Sequence, residues 1–377
     1  MASLCAGFSN MRADDVDDFI KARMEERHIT GLSLAVIQDG KIVKAQGYGF
    51  TDKSGRTAVT TETLFQAGSI SKPVAAVGAL RLVQEGRLSL DADVNTQLRS
   101  WKVPENGFTK EKKVTLRRIL AHSAGLTIHG FAGYATNAPI PTLVQVLNGV
   151  KPPANSSPIW VNVTPESTNR YSGGGYVVMQ QLMIDVTGKP FPEYMRDAVL
   201  KPLGMTNSTY SQPPPPALAA LTAAGYAASG EEIKGRWHVY PEMAAAGLWT
   251  TASDLARFAI GVQQAYAGDS DVVLSQAMTR QMLTAQFPQL SKSDGLGLFV
   301  LGNGKVIQFF HDGRNAGFDG LMMAYTNGNG AVVLINANDN NGAIRDIVRF
   351  IAKQYGWRAS EAESLWLKER GLQPASG

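Results

Sequence analysis

The chain is poor in the residues that staple, anchor or metallate a protein. Among 377 residues there is one cysteine, Cys5, so no internal disulfide can form. A thiol so close to the terminus reads as incidental rather than catalytic. No stretch is long and apolar enough to span a membrane. The opening "MASLCAGFSNMRADD" lacks the charged segment and sustained apolar run of a secretory signal. The expected location is cytoplasmic, or periplasmic if a leader was removed. There are only five histidines, no H-E-x-x-H and no His/Cys cluster, so neither a metal nor another cofactor is expected. Charge is also thin, with 18% charged residues and a net +4. The densest basic run, Lys110 to Lys113, is broken by Glu111 and reads as a solvated loop, which argues against nucleic acid as a partner.

What is present is an apolar fraction of 44%, enough for one large domain or two interlocked ones. Val16, Phe19, Ile20 and Met24 share one face of a predicted helix over 14–27. "LSLAVIQ" and "KIVKAQGYGF" read as strands joined at Asp39-Gly40, a strong hairpin signal. From about Ser69 to Thr284 the pattern is mostly helical. Helices are expected in "LRRILAHSAGL", stopping at Gly125, in "GGYVVMQQLMIDVTG", ending at Gly188, and in "TASDLARFAIGVQQAY", capped by Thr251 with Asp254. Pro213 to Pro216 read as an extended surface segment. Strands return as "GLGLFVLG", "KVIQFFH", "GLMMAYT" and "GAVVLINA", with turns at Asn303-Gly304 and Asn327–Gly330, and "AIRDIVRFIAKQYG" closes as a helix. The expected fold class is therefore α+β. Residues 1–68 and 285–377 would build one antiparallel sheet flanked by helices, and 69–284 a large helical insertion.

The chemistry is first suggested by "FQAGSISKPVAA". Ser69 and Lys72 are three residues apart, so on a helix they share a face, whereas Ser71 points elsewhere. It is the only S-x-x-K in the chain. The apolar "PVAAVGAL" that follows describes a buried helix, with Pro73 near its start. Free backbone N–H groups at such a start favour developing negative charge. A serine nucleophile needs a base, and a desolvated lysine can supply one. Alone, the motif reads more readily as a helix cap followed by a snorkelling lysine. Two further stretches change that balance. "NRYSGGGY" sets Tyr171 in a turn before a helix, or as an aromatic core anchor. "FFHDGRNAGFDG" ends a strand with His311, Asp312 and Gly313 before a glycine-rich turn.

In that order, Ser69–Lys72, Tyr171-Ser172-Gly173 and His311-Asp312-Gly313 resemble the three motifs of the serine β-lactamase-like and penicillin-binding-protein-like hydrolases. The segments "LRRILAHSAGL", "KPLGMTNSTY" and "AAGLWTTASDLARF" extend the likeness over about 31–338. The tyrosine version is similar to class C β-lactamases, D-alanyl-D-alanine peptidases and the related carboxylesterases. The resemblance implies a sheet domain and a helical domain with the site between them. It also implies roles: Ser69 as nucleophile, Lys72 as its activator, Tyr171 as proton relay, and the backbone N–H groups of Ser69 and Arg314 as oxyanion donors. His311, Gly313 and Arg314 would belong to the substrate-binding strand.

Two departures from the motifs bear on substrate. Gly173 stands where the family's asparagine would hold an acylamino group. Asp312 stands where a hydroxyl would bind a substrate carboxylate. Both weaken the β-lactam and peptide readings and favour a carboxylesterase acting on short neutral esters. A β-lactamase, a D-amino-acid peptidase or amidase, and a penicillin sensor that is acylated without turnover are the alternatives. The expected partner is a small ester or amide substrate, and the oligomeric state is left open, homo-oligomers included. His122 reads as a structural histidine bonding a loop. His129 and Tyr134 read as lining the substrate entrance or packing their loop. Glu166 lacks the E-x-x-L-N context of a deacylating glutamate, and no G-x-S-x-G elbow is present.

Overall fold

The computed structural model describes residues 13–272, 274–302 and 306–357. Cys5 and the expected Asn303-Gly304 turn lie outside them. Helix α1 (Ala13–Glu26) buries Val16, Ile20 and Met24, and Phe19 stacks on Phe350 with ring centroids 4.1 Å apart. Strands β1 (Gly31–Gln38) and β2 (Lys41–Gly49) form the expected hairpin. Asp39 and Gly40 at its tip both have positive φ, +51° and +71°, as a two-residue turn between twisted strands requires.

The long helices of the middle region are α2 (Ser71–Gln84), α3 (Gly173–Thr187) and α4 (Ala252–Ala267). Gly188 caps α3 in the left-handed conformation, and the Thr251 hydroxyl caps α4 by accepting from the Asp254 N–H. Strands β3 (Phe299–Leu301), β4 (Gln308–Asn315), β5 (Phe318–Tyr325) and β6 (Gly330–Ile335) and helix α5 (Asn341–Gln354) follow. The six strands make one antiparallel sheet in the order β2-β1-β6-β5-β4-β3. Leu32 of β1 thus sits opposite Ile335 of β6.

The period-two alternation of β1 splits it between two cores. Leu32, Leu34 and Val36 join the layer of α1 and α5, while Ala35 and Ile37 join the larger core on the other face, which α4 covers. Among the described residues no helix is long and apolar enough to cross a membrane.

Three expectations are corrected. The helix begun at Leu116 stops at Leu120 rather than at Gly125, because the chain turns at His122, whose φ is +53°. That turn is held from outside: the His122 carbonyl accepts from the Arg170 N–H at 2.8 Å. The strand carrying His311 does not end at Gly313 but runs to Asn315, paired with Phe318. The proline run is extended only as far as Pro215, since Pro216 begins a short helix, Pro216–Ala219. Two short pairings had no sequence signal, Phe65-Gln66 with Trp249-Thr250 and Tyr134-Ala135 with His238-Val239.

Candidate active site

A short 3-10 turn, Gly68–Ile70, precedes α2 and carries Ser69, while Lys72 lies in the first turn of α2 itself. The i, i+3 spacing brings the Lys72 Nζ to 2.9 Å from the Ser69 Oγ. The Lys72 amine also donates to the Ala245 carbonyl at 2.7 Å. It is 2% exposed, and burial pulls its pKa down to about 7, against the opposing pull of the Asp312 carboxylate. Burial thus brings the uncharged amine, able to accept a proton, within reach at neutral pH. Ser71 has a different task. It donates to the Gly68 carbonyl at 2.6 Å and accepts from the Leu248 N–H at 2.9 Å.

Tyr171 enters from the turn before α3, where the Ser172 hydroxyl caps the helix. Its ring lies 5.0 Å from the Lys72 Nζ. Burial raises its phenol pKa and the Ser69 hydroxyl offsets part of that, so the phenol keeps its proton at neutral pH. His122 packs on the Tyr171 ring at 4.2 Å, and its Nδ1 accepts from the Ser172 N–H at 3.2 Å. Burial holds His122 well below the usual histidine range. It is a neutral positioning residue behind the tyrosine, as its reading as a structural histidine expects.

The third wall is β4. His311 is 2% exposed, its ring 6.2 Å from that of Tyr171, and burial lowers its pKa to about 4. Its Nδ1–H donates to the Asp312 carbonyl at 2.5 Å, which leaves Nε2 as the acceptor. Gly313 is required by contact: a Cβ there would come within 2.0 Å of the Ala67 carbonyl oxygen. Gly68 is required for the same reason, since its Cβ would meet the Arg314 nitrogen at 2.4 Å. These two close approaches press β4 against the Gly68–Ile70 turn that carries Ser69. The Arg314 side chain turns to its own acids, Asp319 at 3.0 Å and Asp339 at 2.8 Å.

Ser69, Lys72, Tyr171, His311 and Arg314 thus line one cleft of about 800 Å³, with His129, Phe131, Asp312 and Phe299 among its other walls. Gly313 packs behind it. Tyr134 is not on that wall; it is buried and its phenol oxygen accepts from the Asn155 N–H at 3.1 Å. Glu166 is tied to Lys112 and Arg118, at 2.8 and 2.6 Å. Gly173 has a steric reason: a Cβ there would lie 3.0 Å from the His129 carbonyl oxygen and 3.1 Å from Phe131. A side chain there would require the 129–131 loop to yield by a few tenths of an ångström.

Glu242 was invisible in the sequence. It is 0% exposed and neither carboxyl oxygen makes a hydrogen bond of ordinary length among the described residues. Burial raises its pKa to about 8, with the Tyr134 phenol offsetting a little. It heads the turn 243–246, whose Ala245 carbonyl holds Lys72. An unfolded chain gives up this proton above about pH 4.5, whereas the folded one keeps it to about 8, so stability falls as pH rises between them. Glu242→Gln should therefore gain on the unsubstituted protein by about 3–4 kcal/mol between pH 5 and pH 8. Melting curves of both at those pH values check this, and parallel pH dependences would refute it.

Comparison with known proteins agrees with the fold. The model of the family described as Beta-lactamase matches residues 16–355. Protein flp of Staphylococcus aureus (strain N315) is 25% identical over 65% of this chain and 46% of its own length, so the chain spans about half of that relative. The octameric penicillin-binding protein homologue from Pyrococcus abyssi superimposes with a TM-score of 0.74 at 24% identity, covering 96% of this chain and 81% of that one. D-amino acid amidase from Ochrobactrum anthropi SV3, complexed with L-phenylalanine, gives 0.71 at 22% identity over 91% and 98%. With the family model matching nearly the whole chain and these folds superimposing on it, the protein belongs to the Beta-lactamase family.

Proposed function

We propose that the protein is a serine hydrolase working through an acyl-enzyme, with Ser69 as nucleophile, and that its substrates are short esters lacking a carboxylate near the scissile bond. The observation that carries the reading is the 2.9 Å contact between the Ser69 hydroxyl and a buried lysine whose pKa lies near 7. The uncharged Lys72 amine takes the Ser69 proton as Oγ attacks the carbonyl. The N–H groups of Ser69 and Arg314 receive the oxyanion. The protonated Tyr171 phenol gives its proton to the leaving group and is re-supplied from Lys72. The same groups, run in reverse, activate the water that releases the acid.

The substrate preference follows from charge. A penicillin presents a carboxylate to β4. There it meets a neutral His311, the Asp312 carboxylate and an arginine already shared between two aspartates. An unfavourable contact of a few kcal/mol in this cleft costs about a hundredfold or more in rate. The kcat/KM for p-nitrophenyl acetate or butyrate should exceed that for benzylpenicillin by at least about that factor. Asp312→Thr should narrow the gap. A penicillin value equal to or above the ester value in the unsubstituted enzyme would overturn the esterase reading in favour of a β-lactamase.

A further inference from the structure

Among the described residues, Asp312 is the acid on the cleft whose surroundings do not account for it. It is half-buried on β4, between His311 and Gly313. The other acids near this wall are engaged. Asp294 accepts from the Ser291 hydroxyl, and Asp319 and Asp339 share the Arg314 guanidinium. Among the described residues the Asp312 carboxylate has neither an ion pair nor a hydrogen bond of its own. Asn315, on the same strand and also on the cleft wall, keeps its buried amide oxygen without a donor. This wall is therefore rich in acceptors, and its one cation besides Lys72 is already neutralised. That polarity runs against the chain as a whole, whose net charge is +4. Tyr171, Phe131 and Phe299 line the same space, and aromatic rings can attract cations as well as apolar groups.

The position of Asp312 along the reaction coordinate follows from its neighbours. It follows His311 on β4, and the His311 ring stands 6.2 Å from that of Tyr171, the group assigned to hand a proton to the departing fragment, in the same cleft. It therefore stands on the leaving-group side of the scissile bond. We propose that the leaving group of the substrate carries a positive charge, and that Asp312 is the residue that selects it, so that the enzyme's substrates are esters or amides of amino alcohols or diamines. This rests on the acyl-transfer reading above and narrows it. The chemistry balances without a further reactant. The Ser69 Oγ–carbonyl bond forms, the bond to the ammonium-bearing alcohol or amine breaks, and that fragment leaves with the serine's proton. Water then cleaves the acyl-serine bond and regenerates the hydroxyl.

Acetylthiocholine and its uncharged carbon isostere, S-(3,3-dimethylbutyl) thioacetate, test the proposal by thiol release. The unsubstituted enzyme should prefer the charged thioester in kcat/KM by about tenfold or more, and the preference should shrink as salt is added. In Asp312→Asn the ratio of the two values should fall to about one; a ratio is unaffected by partial loss of folded enzyme. With the unsubstituted enzyme alone, choline should inhibit p-nitrophenyl butyrate hydrolysis at about a tenfold lower concentration than 3,3-dimethylbutanol. A ratio near one in the unsubstituted enzyme, a preference that survives in Asp312→Asn, or equal inhibition by the two alcohols would each overturn the selection by Asp312 while leaving the esterase reading intact. Failure to hydrolyse p-nitrophenyl butyrate and both thioesters would overturn the two together.

Discussion

Ser69→Ala is expected to reduce turnover of every substrate by at least about 10⁴-fold, with the melting temperature nearly unchanged. The Ser69 hydroxyl faces the cleft and bonds Lys72 and Tyr171, contacts of the site rather than of the core. Ser71→Ala should show the opposite behaviour. It removes a buried hydroxyl that links the Gly68 carbonyl to the Leu248 N–H, at a cost of about 1–2 kcal/mol in stability. Its catalytic loss should stay within about tenfold, because the Lys72 contact does not pass through it. Steady-state rates and thermal melts of the two variants separate the roles. A dead Ser71→Ala beside an active Ser69→Ala would show that the wrong serine has been assigned.

The second large effect concerns Lys72 and Tyr171. Lys72→Met and Tyr171→Phe are each expected to cost about 10³-fold or more in kcat, and the double variant little more than the worse single one. Both serve one proton path to and from Ser69, so breaking it twice removes nothing further. A double loss equal to the product of the single losses would mean that they act independently. The pH profile supplies a second reading. Lys72 works as the uncharged amine, and burial has brought its pKa to about 7. In the unsubstituted enzyme kcat/KM should therefore rise with pH through about 7 and level off above it. Because the Asp312 carboxylate opposes that fall in pKa, Asp312→Asn should move the rise to lower pH. A rise confined to pH 4–5 would point to a carboxylate base instead.

Much of this site was legible because its signals are local. The Ser69–Lys72 spacing needs only one helical turn to become a contact, and the Asp39-Gly40 hairpin needs only two residues with positive φ. The α+β class followed from strand patterns at the two ends of the chain with helices between them, and the six-stranded sheet joins those ends. What was hidden depends on partners far along the chain. The continuation of β4 to Asn315 is dictated by pairing with β5, not by its own polar residues. The early stop of the helix at Leu120 depends on Arg170, fifty residues or so downstream. The absence of the motif asparagine at Gly173 could be seen in sequence, but the close approach of His129 and Phe131 to that position could not. Glu242 had no signal at all, since a glutamate in "YPEM" reads as an ordinary surface residue until the surrounding core encloses it.

The sheet that joins the two ends of the chain also sets a delay during synthesis. The Gly31 N–H bonds to the Asn336 side chain at 2.7 Å, across 305 positions, next to the register in which β1 pairs with β6. A ribosome adding roughly 5–20 residues per second takes about 15–60 s to traverse that interval. Throughout it the β1–β2 hairpin has emerged, while the strand that will cover the inner edge of β1 does not yet exist. That edge is apolar and carries a row of unpaired backbone groups, the kind of template on which nascent chains pair with each other. Slow translation or crowded polysomes should therefore depress the yield of active protein before the finished fold is tested at all.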